Sequence, residues 1–436
     1  RARRSGKRAQ YRRLVVAPSM STPFRLPIQR VATNGLTAWL VEDHSVPVLS
    51  LVWGWDGGAA LDPAGREGST GLAASLLTEG AGDMPAIAFT DALRDGGIGL
   101  GFSADSDGFD GGFRCLMDAL PEAERLTRLA MTAPRLDTAA VERLRARAIA
   151  SARQSLETPR GQAGRRFWAA AFPNHSVGRP SAGTAESLAA ITIDDMRALL
   201  GTQLRRDGLT IAAAGAIRPD ELAALLDRLF AGLPAGAPAV QPALPGFTHF
   251  GQQVIGLDSP QSQAVFGHEG IGPRDPDFEA AQIVLRILGG GGFSSRLTEA
   301  VRVRRGLTYG IGVGLNTAFG GGVLTGSVAS DNTKIAEALA VTREEWARMA
   351  ADGPTEAEMV EAVAYMTGSL PLQFTDSRRI ANTLLGMQQN KRPLDWLDGR
   401  SDRLRAVSRH DAARVARRLL KPEALSVTVA GRPVGL

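Results

Sequence analysis

Ile191-Thr-Ile-Asp-Asp-Met-Arg-Ala-Leu-Leu200 runs on to Leu209-Thr-Ile-Ala-Ala-Ala-Gly215, and the pattern returns 216 residues later. The second copy is Val407-Ser-Arg-His-Asp-Ala-Ala-Arg-Val-Ala416, running on to Leu425-Ser-Val-Thr-Val-Ala-Gly431. Thr192 and Ser408 stand where a side-chain oxygen satisfies the free N–H groups of a helix start. An amphipathic helix follows in each copy, then a short β-rich run closed by glycine. A period of half the 436-residue chain predicts duplication of one large α+β unit, because solenoid repeats recur about every 20–50 residues.

Outward from the repeat, both halves open with β-like runs, at 36–41 and 48–55 in the first and at 252–257 and 261–267 in the second. Helical stretches follow, for instance 139–156 and 354–369. Sheets with helices covering one face are the natural outcome. The halves are joined by Leu233-Pro-Ala-Gly-Ala-Pro-Ala-Val-Gln-Pro-Ala-Leu-Pro-Gly246, whose four prolines and lack of charge predict a semi-rigid, non-helical connector. The expected organisation is a basic tail and lead-in over 1–30, an N-terminal α+β domain over 31–232, a linker over 233–250 and a C-terminal α+β domain over 251–436.

Composition bounds the function classes. The chain is too long for one ordinary core, and 44% apolar with 22% charged residues reads as a soluble globular protein. No apolar run approaches the roughly 20 residues that span a bilayer. The net charge of +5 is local: residues 1–13 hold seven basic groups and no acid, leaving 43 against 45 elsewhere. Such an arm can bind nucleic acid or a membrane surface; here it reads as a disordered tail, and no nucleic-acid partner is expected. No signal-peptide core follows it, so a cytoplasmic protein is expected, or a periplasmic one if a leader has been removed. A single cysteine, Cys115, excludes an internal disulfide framework.

The chemistry-bearing segment is Arg302-Val-Arg-Arg-Gly-Leu-Thr-Tyr309, preceded by Leu288-Gly-Gly-Gly-Gly-Phe-Ser-Ser-Arg-Leu-Thr-Glu299. Together they resemble a signature of the pitrilysin-type zinc peptidases (inverzincins), a family that includes the mitochondrial processing peptidases and bacterial two-subunit peptidases. The resemblance runs from about Val31 to Gly431. It implies two similar domains, each a mainly antiparallel mixed sheet covered by helices, forming half of a clamshell completed by a second such chain. It also implies that Arg302 and Tyr309 reach an active site whose metal ligands lie elsewhere. Peptide hydrolysis builds negative charge on a carbonyl oxygen, which a fixed cation and a phenolic donor stabilise. Arg304 and Arg305 read as solvated charges. The bland alternative is that Arg302 pairs with a surface acid and Tyr309 sits in the core. Gly289, Gly290, Gly291 and Gly292 resemble the substrate-recognising glycine-rich loop of the non-metal processing-peptidase subunit. The plainer reading is a hinge between a helix and the next helix start, and they lack the Lys-Ser/Thr of a phosphate cradle.

The family's zinc site uses two His four apart on one helix, with a Glu beside the second and an acidic ligand from a later helix. In the matching segment, Gly68-Ser-Thr-Gly-Leu-Ala-Ala-Ser-Leu-Leu-Thr-Glu-Gly80, the His positions fall on Ala74 and Thr78 and the Glu position on Leu77. No acid occurs over 148–154, although Glu142 and Glu157 flank it. His44, His175, His249, His268 and His410 show no ligand spacing; His175 falls in a loop to which the resemblance gives a structural role. No metal is expected in this chain. The favoured reading is the zinc-free subunit of a heterodimeric bacterial peptidase, acting on unfolded peptides, with zinc in a paralogous partner. The alternative is a catalytically inert structural or peptide-binding homologue.

Overall fold

The computed structural model describes residues 24–237 and 243–436. The basic arm and the centre of the proline-rich connector, 238–242, lie outside the described residues.

The first half supplies β1 (Ile28–Thr33), β2 (Leu36–Glu42), β3 (Val48–Asp56), a two-residue-strand hairpin of β4 (Gly80–Ala81) and β5 (Met84–Pro85), β6 (Gly99–Ala104), β7 (Gly108–Leu116) and β8 (Thr210–Gly215). Its main sheet has the order β1-β2-β8-β3-β7-β6. The second half supplies β9 (Gln252–Gly256), β10 (Gln261–Glu269), β11 (Thr308–Asn316), β12 (Val323–Asp331) and β13 (Ser426–Gly431), in the order β11-β12-β10-β13-β9. Read in reverse, the second sheet repeats β2-β8-β3-β7-β6 strand for strand. Each has one parallel pair, with Ala38 opposite Ile211 and Gln252 opposite Val427, and every other pairing is antiparallel. The chain is a duplicated α+β fold, with the internal repeat at the same place in both units.

The repeat's residues explain its form. Thr192 Oγ1 accepts from the Asp195 N–H at 3.1 Å while the Asp195 carboxylate accepts from the Thr192 N–H at 2.8 Å. Ser408 and Asp411 make the same reciprocal pair, which closes two free donors at each helix start. Gly215 and Gly431 have φ of +136° and +142°, and an added Cβ would stand 2.0 Å from the Val48 carbonyl oxygen or 2.3 Å from Ser262 Oγ. Glycine alone fits there.

On one face of each sheet the core is built from its own half. Leu40, Leu51 and Trp53 meet Leu76, Leu126 and Phe230 in the first; Phe266, Val328 and Val427 meet Ile283, Trp346 and Val415 in the second. The opposite faces are covered reciprocally. Helix Ser377–Gln389 of the second half brings Ile380, Ala381 and Leu384 onto Trp39, Val52 and Ala212 of the first sheet. Helix Pro159–Ala171 of the first half lies across β10 and β13 of the second. Helical cover on one face alone was the expectation; the structure covers both, because β8 and β13 are apolar or small on both sides and almost wholly buried.

Candidate functional site

Arg302 sits near the end of a π-helical stretch, Thr298–Val303. The chain then turns sharply: the Gly306 N–H donates to the Arg302 carbonyl and the Leu307 N–H to the Val301 carbonyl, both at 3.0 Å. Gly306 has φ +60°, left-handed backbone that suits glycine. Leu307 is buried, and β11 starts one residue later.

At the start of β11 the register slips. Thr308 faces Ser330 and Gly310 faces Ala329, so Tyr309 is the extra residue of a β-bulge. Thr308 holds it: its Oγ1 donates to the Ala329 carbonyl and accepts from the Gly310 N–H. Tyr309 is therefore 86% exposed. Arg302 is half-buried, its guanidinium over the Phe293 ring at 4.6 Å, a cation–π contact. Among the described residues the Arg302 side chain makes no ion pair or hydrogen bond, and Tyr309 makes no side-chain hydrogen bond. The bland alternative, a paired arginine and a core tyrosine, is not what the chain builds. Arg304 pairs with Glu299 at 3.0 Å and Arg305 donates to the Ala300 carbonyl.

The four glycines form a tight corner. Gly289 and Gly290 end a π-helical turn, Arg286–Gly290. A Cβ on Gly289 would meet Val313 at 2.9 Å and Leu297 at 3.0 Å, one on Gly291 the Arg286 carbonyl oxygen at 2.7 Å, and Gly292 has φ +62°. Close packing beneath β11 and one left-handed turn account for their type. The corner presents Phe293, 71% exposed, to Arg302.

The metal position is a cleft without ligands. Helix Ser69–Leu76 is short, and Thr78 lies beyond its end. Its start is held by the buried carboxylate of Asp62, which accepts from the N–H groups of Gly68 and Thr70 and from the Thr70 hydroxyl; burial raises the Asp62 pKa. Ala74 and Leu77 point into the core, 2% and 0% exposed. Gly71, Ser75, Thr78 and Glu79 instead line a cleft of about 800 Å³ facing Ala148 and Ser151 of helix Thr138–Leu156. Of the two expected His positions only Thr78 lines the cleft, while Ala74 is turned into the core; the cleft-lining residues at four-residue spacing include Gly71, Ser75 and Glu79, and none offers an imidazole. Glu79 is engaged by Arg143 and Glu142 by Arg145. Among the described residues no three His, Cys, Asp or Glu are grouped to hold a metal ion. These donors do not fit zinc.

Four histidines have local partners. His44 meets Glu42 at 2.9 Å. His249 Nδ1 lies 3.0 Å from the Ala424 carbonyl and from Ser426 Oγ. His268 bonds the Glu269 carbonyl and accepts from the Lys421 N–H, and burial lowers its pKa. His175 Nδ1 accepts from the Val177 N–H, capping a 3₁₀ turn.

Sequence reading missed an acidic cleft between the halves. Asp56, Asp105, Asp107 and Asp110 line it with Gln389 and Lys391. Asp107 accepts from the Phe319 N–H, Asp110 from Gln389. Burial, helped by neighbouring aspartates, pushes the Asp110 carboxyl up to about 6. The run Asp105-Ser-Asp-Gly-Phe-Asp110 reads as a turn, and only the fold brings the second half against it.

The peptidase M16 inactive domain is the family whose pattern matches residues 190–366. A non-peptidase homolog of Helicobacter pylori, YmxG, is 24% identical over 78% of this chain and 79% of its own length. A zinc protease of Mycobacterium leprae, described as uncharacterized, is 31% identical over 51% of this chain and 50% of its own, so the chain spans about half of that relative. The crystal structure of a peptidase M16 inactive domain from Pseudomonas fluorescens has the same fold, with TM-score 0.89 over 94% of this chain and 98% of that one at 23% identity. No helix of the described residues is long and apolar enough to cross a membrane.

Proposed function

We propose that the chain is an inactive-type homologue of the M16 peptidases and serves as the zinc-free subunit of a two-chain bacterial peptidase. Its partner would be a paralogue carrying the zinc ligands and the general base, and zinc there would activate water for attack on the peptide. This chain's share is Arg302 and Tyr309. The guanidinium stays charged at any working pH and the phenol offers one neutral donor, so both can stabilise charge developing on the scissile carbonyl.

The observation that carries this reading is the bulge at Thr308–Gly310, which holds Tyr309 out to solvent, seven residues after an arginine that makes no ion pair among the described residues. A tyrosine kept for packing would face inward. Gly289–Gly292 place Phe293 against Arg302, which supports a part for that corner in gripping substrate. Unfolded peptide would bind as an added strand; the outer strands, β1 and β6 of the first sheet and β9 and β11 of the second, each leave one edge unpaired among the described residues.

The test mixes this chain with a zinc-bearing paralogue and follows cleavage of an unfolded peptide. Arg302→Ala and Tyr309→Phe should each lower turnover by about 10²–10³ with zinc content unchanged. Unchanged turnover in both variants would favour the second reading, an inert structural or peptide-binding homologue, to which the non-peptidase homolog of Helicobacter pylori lends support.

A further inference from the structure

The cleft at the position the resemblance assigns to the metal is roomy and, among the described residues, carries no metal-binding chemistry. Its walls are aliphatic, with Leu72, Leu144, Leu156 and Leu188, and four hydroxyls line it, from Ser75, Thr78, Ser151 and Ser155. About 800 Å³ lies within the usual range of small-ligand sites, roughly 300–1,000 Å³. The charge around it is one-sided. Arg147 and Arg165 line the cleft, both exposed, and neither makes an ion pair among the described residues. The single carboxylate in the lining, Glu79, is already held by Arg143. Exposed Glu186 lies in the field of Arg165 and Arg153 and is the competing acid nearby. Gly161 also brings the first turn of helix Pro159–Ala171 to the cleft, and a helix N-terminus carries partial positive charge.

A divalent cation is repelled by this arrangement. A bare inorganic anion would satisfy the arginines but leave the leucines uncovered. A carboxylate attached to an apolar group satisfies both. We infer that the cleft binds the C-terminal end of a peptide, Arg147 and Arg165 holding its free carboxylate and the leucine walls taking an apolar last side chain. Such a site lies in this chain alone and does not depend on Arg302, Tyr309 or a metal-bearing partner.

The experiment uses the full chain alone and a hexapeptide ending in leucine, labelled at its N-terminus with fluorescein and followed by anisotropy. Charge-assisted hydrogen bonds to a carboxylate correspond to roughly 10–100-fold in affinity. The free acid should bind about tenfold or more tighter than its C-terminal amide, and the double variant R147A/R165A should lose that factor. Ser151→Phe, which fills the cleft, should abolish binding, while Arg302→Ala should leave it unchanged. Both arginines are exposed, so circular dichroism melting of the double variant should match the wild type. Equal binding of acid and amide would overturn the inference, as would a double variant that binds normally. So would inorganic phosphate displacing the peptide as well as acetyl-leucine does, since it would mark a simple anion site.

Discussion

Tyr309 faces solvent because of its neighbour. Thr308 is buried, and its hydroxyl ties the Ala329 carbonyl to the Gly310 N–H. Thr308→Val keeps the shape but removes that tie and should cost about 1–3 kcal/mol, read as a lowered Tm together with reduced amide protection at Gly310. An unchanged melting curve would show that the bulge is held by other means. The seven-residue spacing of Arg302 and Tyr309 was legible in the sequence; the bulge was not, because it depends on a hydrogen bond to a strand 21 residues away. The metal segment failed differently. Its lack of ligands was legible, but which residues of the short helix face the cleft depends on packing, and Ala74 and Leu77 go to the core.

Asp110 shows a cost stored at the meeting of the halves. Burial raises its carboxyl from 3.8 to about 6, so between those values the folded state holds a proton that the unfolded state releases. Stability therefore falls as pH rises through that window and stays lower above it. Asp110→Asn removes the buried charge while still accepting from Gln389. It should raise stability at pH 7.5 by no more than about 3 kcal/mol and change little at pH 4, checked by urea unfolding at both values. An equal change at the two pH values would contradict the assignment to charge.

At the scale of elements, the exchanged helices matter most. Leu384 of helix Ser377–Gln389 is fully buried against the first-half sheet. Leu384→Ala should cost about 2–5 kcal/mol, and hydrogen exchange should show the loss of protection in β3 and β8, far earlier in the chain. A loss confined to the second half would contradict the packing. The capped helices and closing glycines of the repeat were readable from residue type and spacing, since caps and left-handed glycines act locally. The exchange was not, because an amphipathic helix shows that it covers a sheet without showing which one. The run of small or apolar residues over 211–215 and 426–431, without a charge on either face, was the available signal.

At the scale of the whole molecule, reciprocal cover makes each half incomplete without the other. The chain should melt in one cooperative transition, with calorimetric and van't Hoff enthalpies in agreement; two separated transitions would show that the halves stand alone. The same logic applies a level higher, where a chain with no grouped metal ligands among the described residues, a half-buried Arg302 without an ion pair and an exposed Tyr309 is proposed as one part of a larger catalyst. The most direct measurement titrates this chain into a zinc-bearing paralogue while following peptide cleavage and bound zinc. Activity should rise from near zero, saturate at one chain per partner and carry one zinc per pair, all of it on the partner. Full activity of the partner alone, or cleavage by this chain alone, would contradict it.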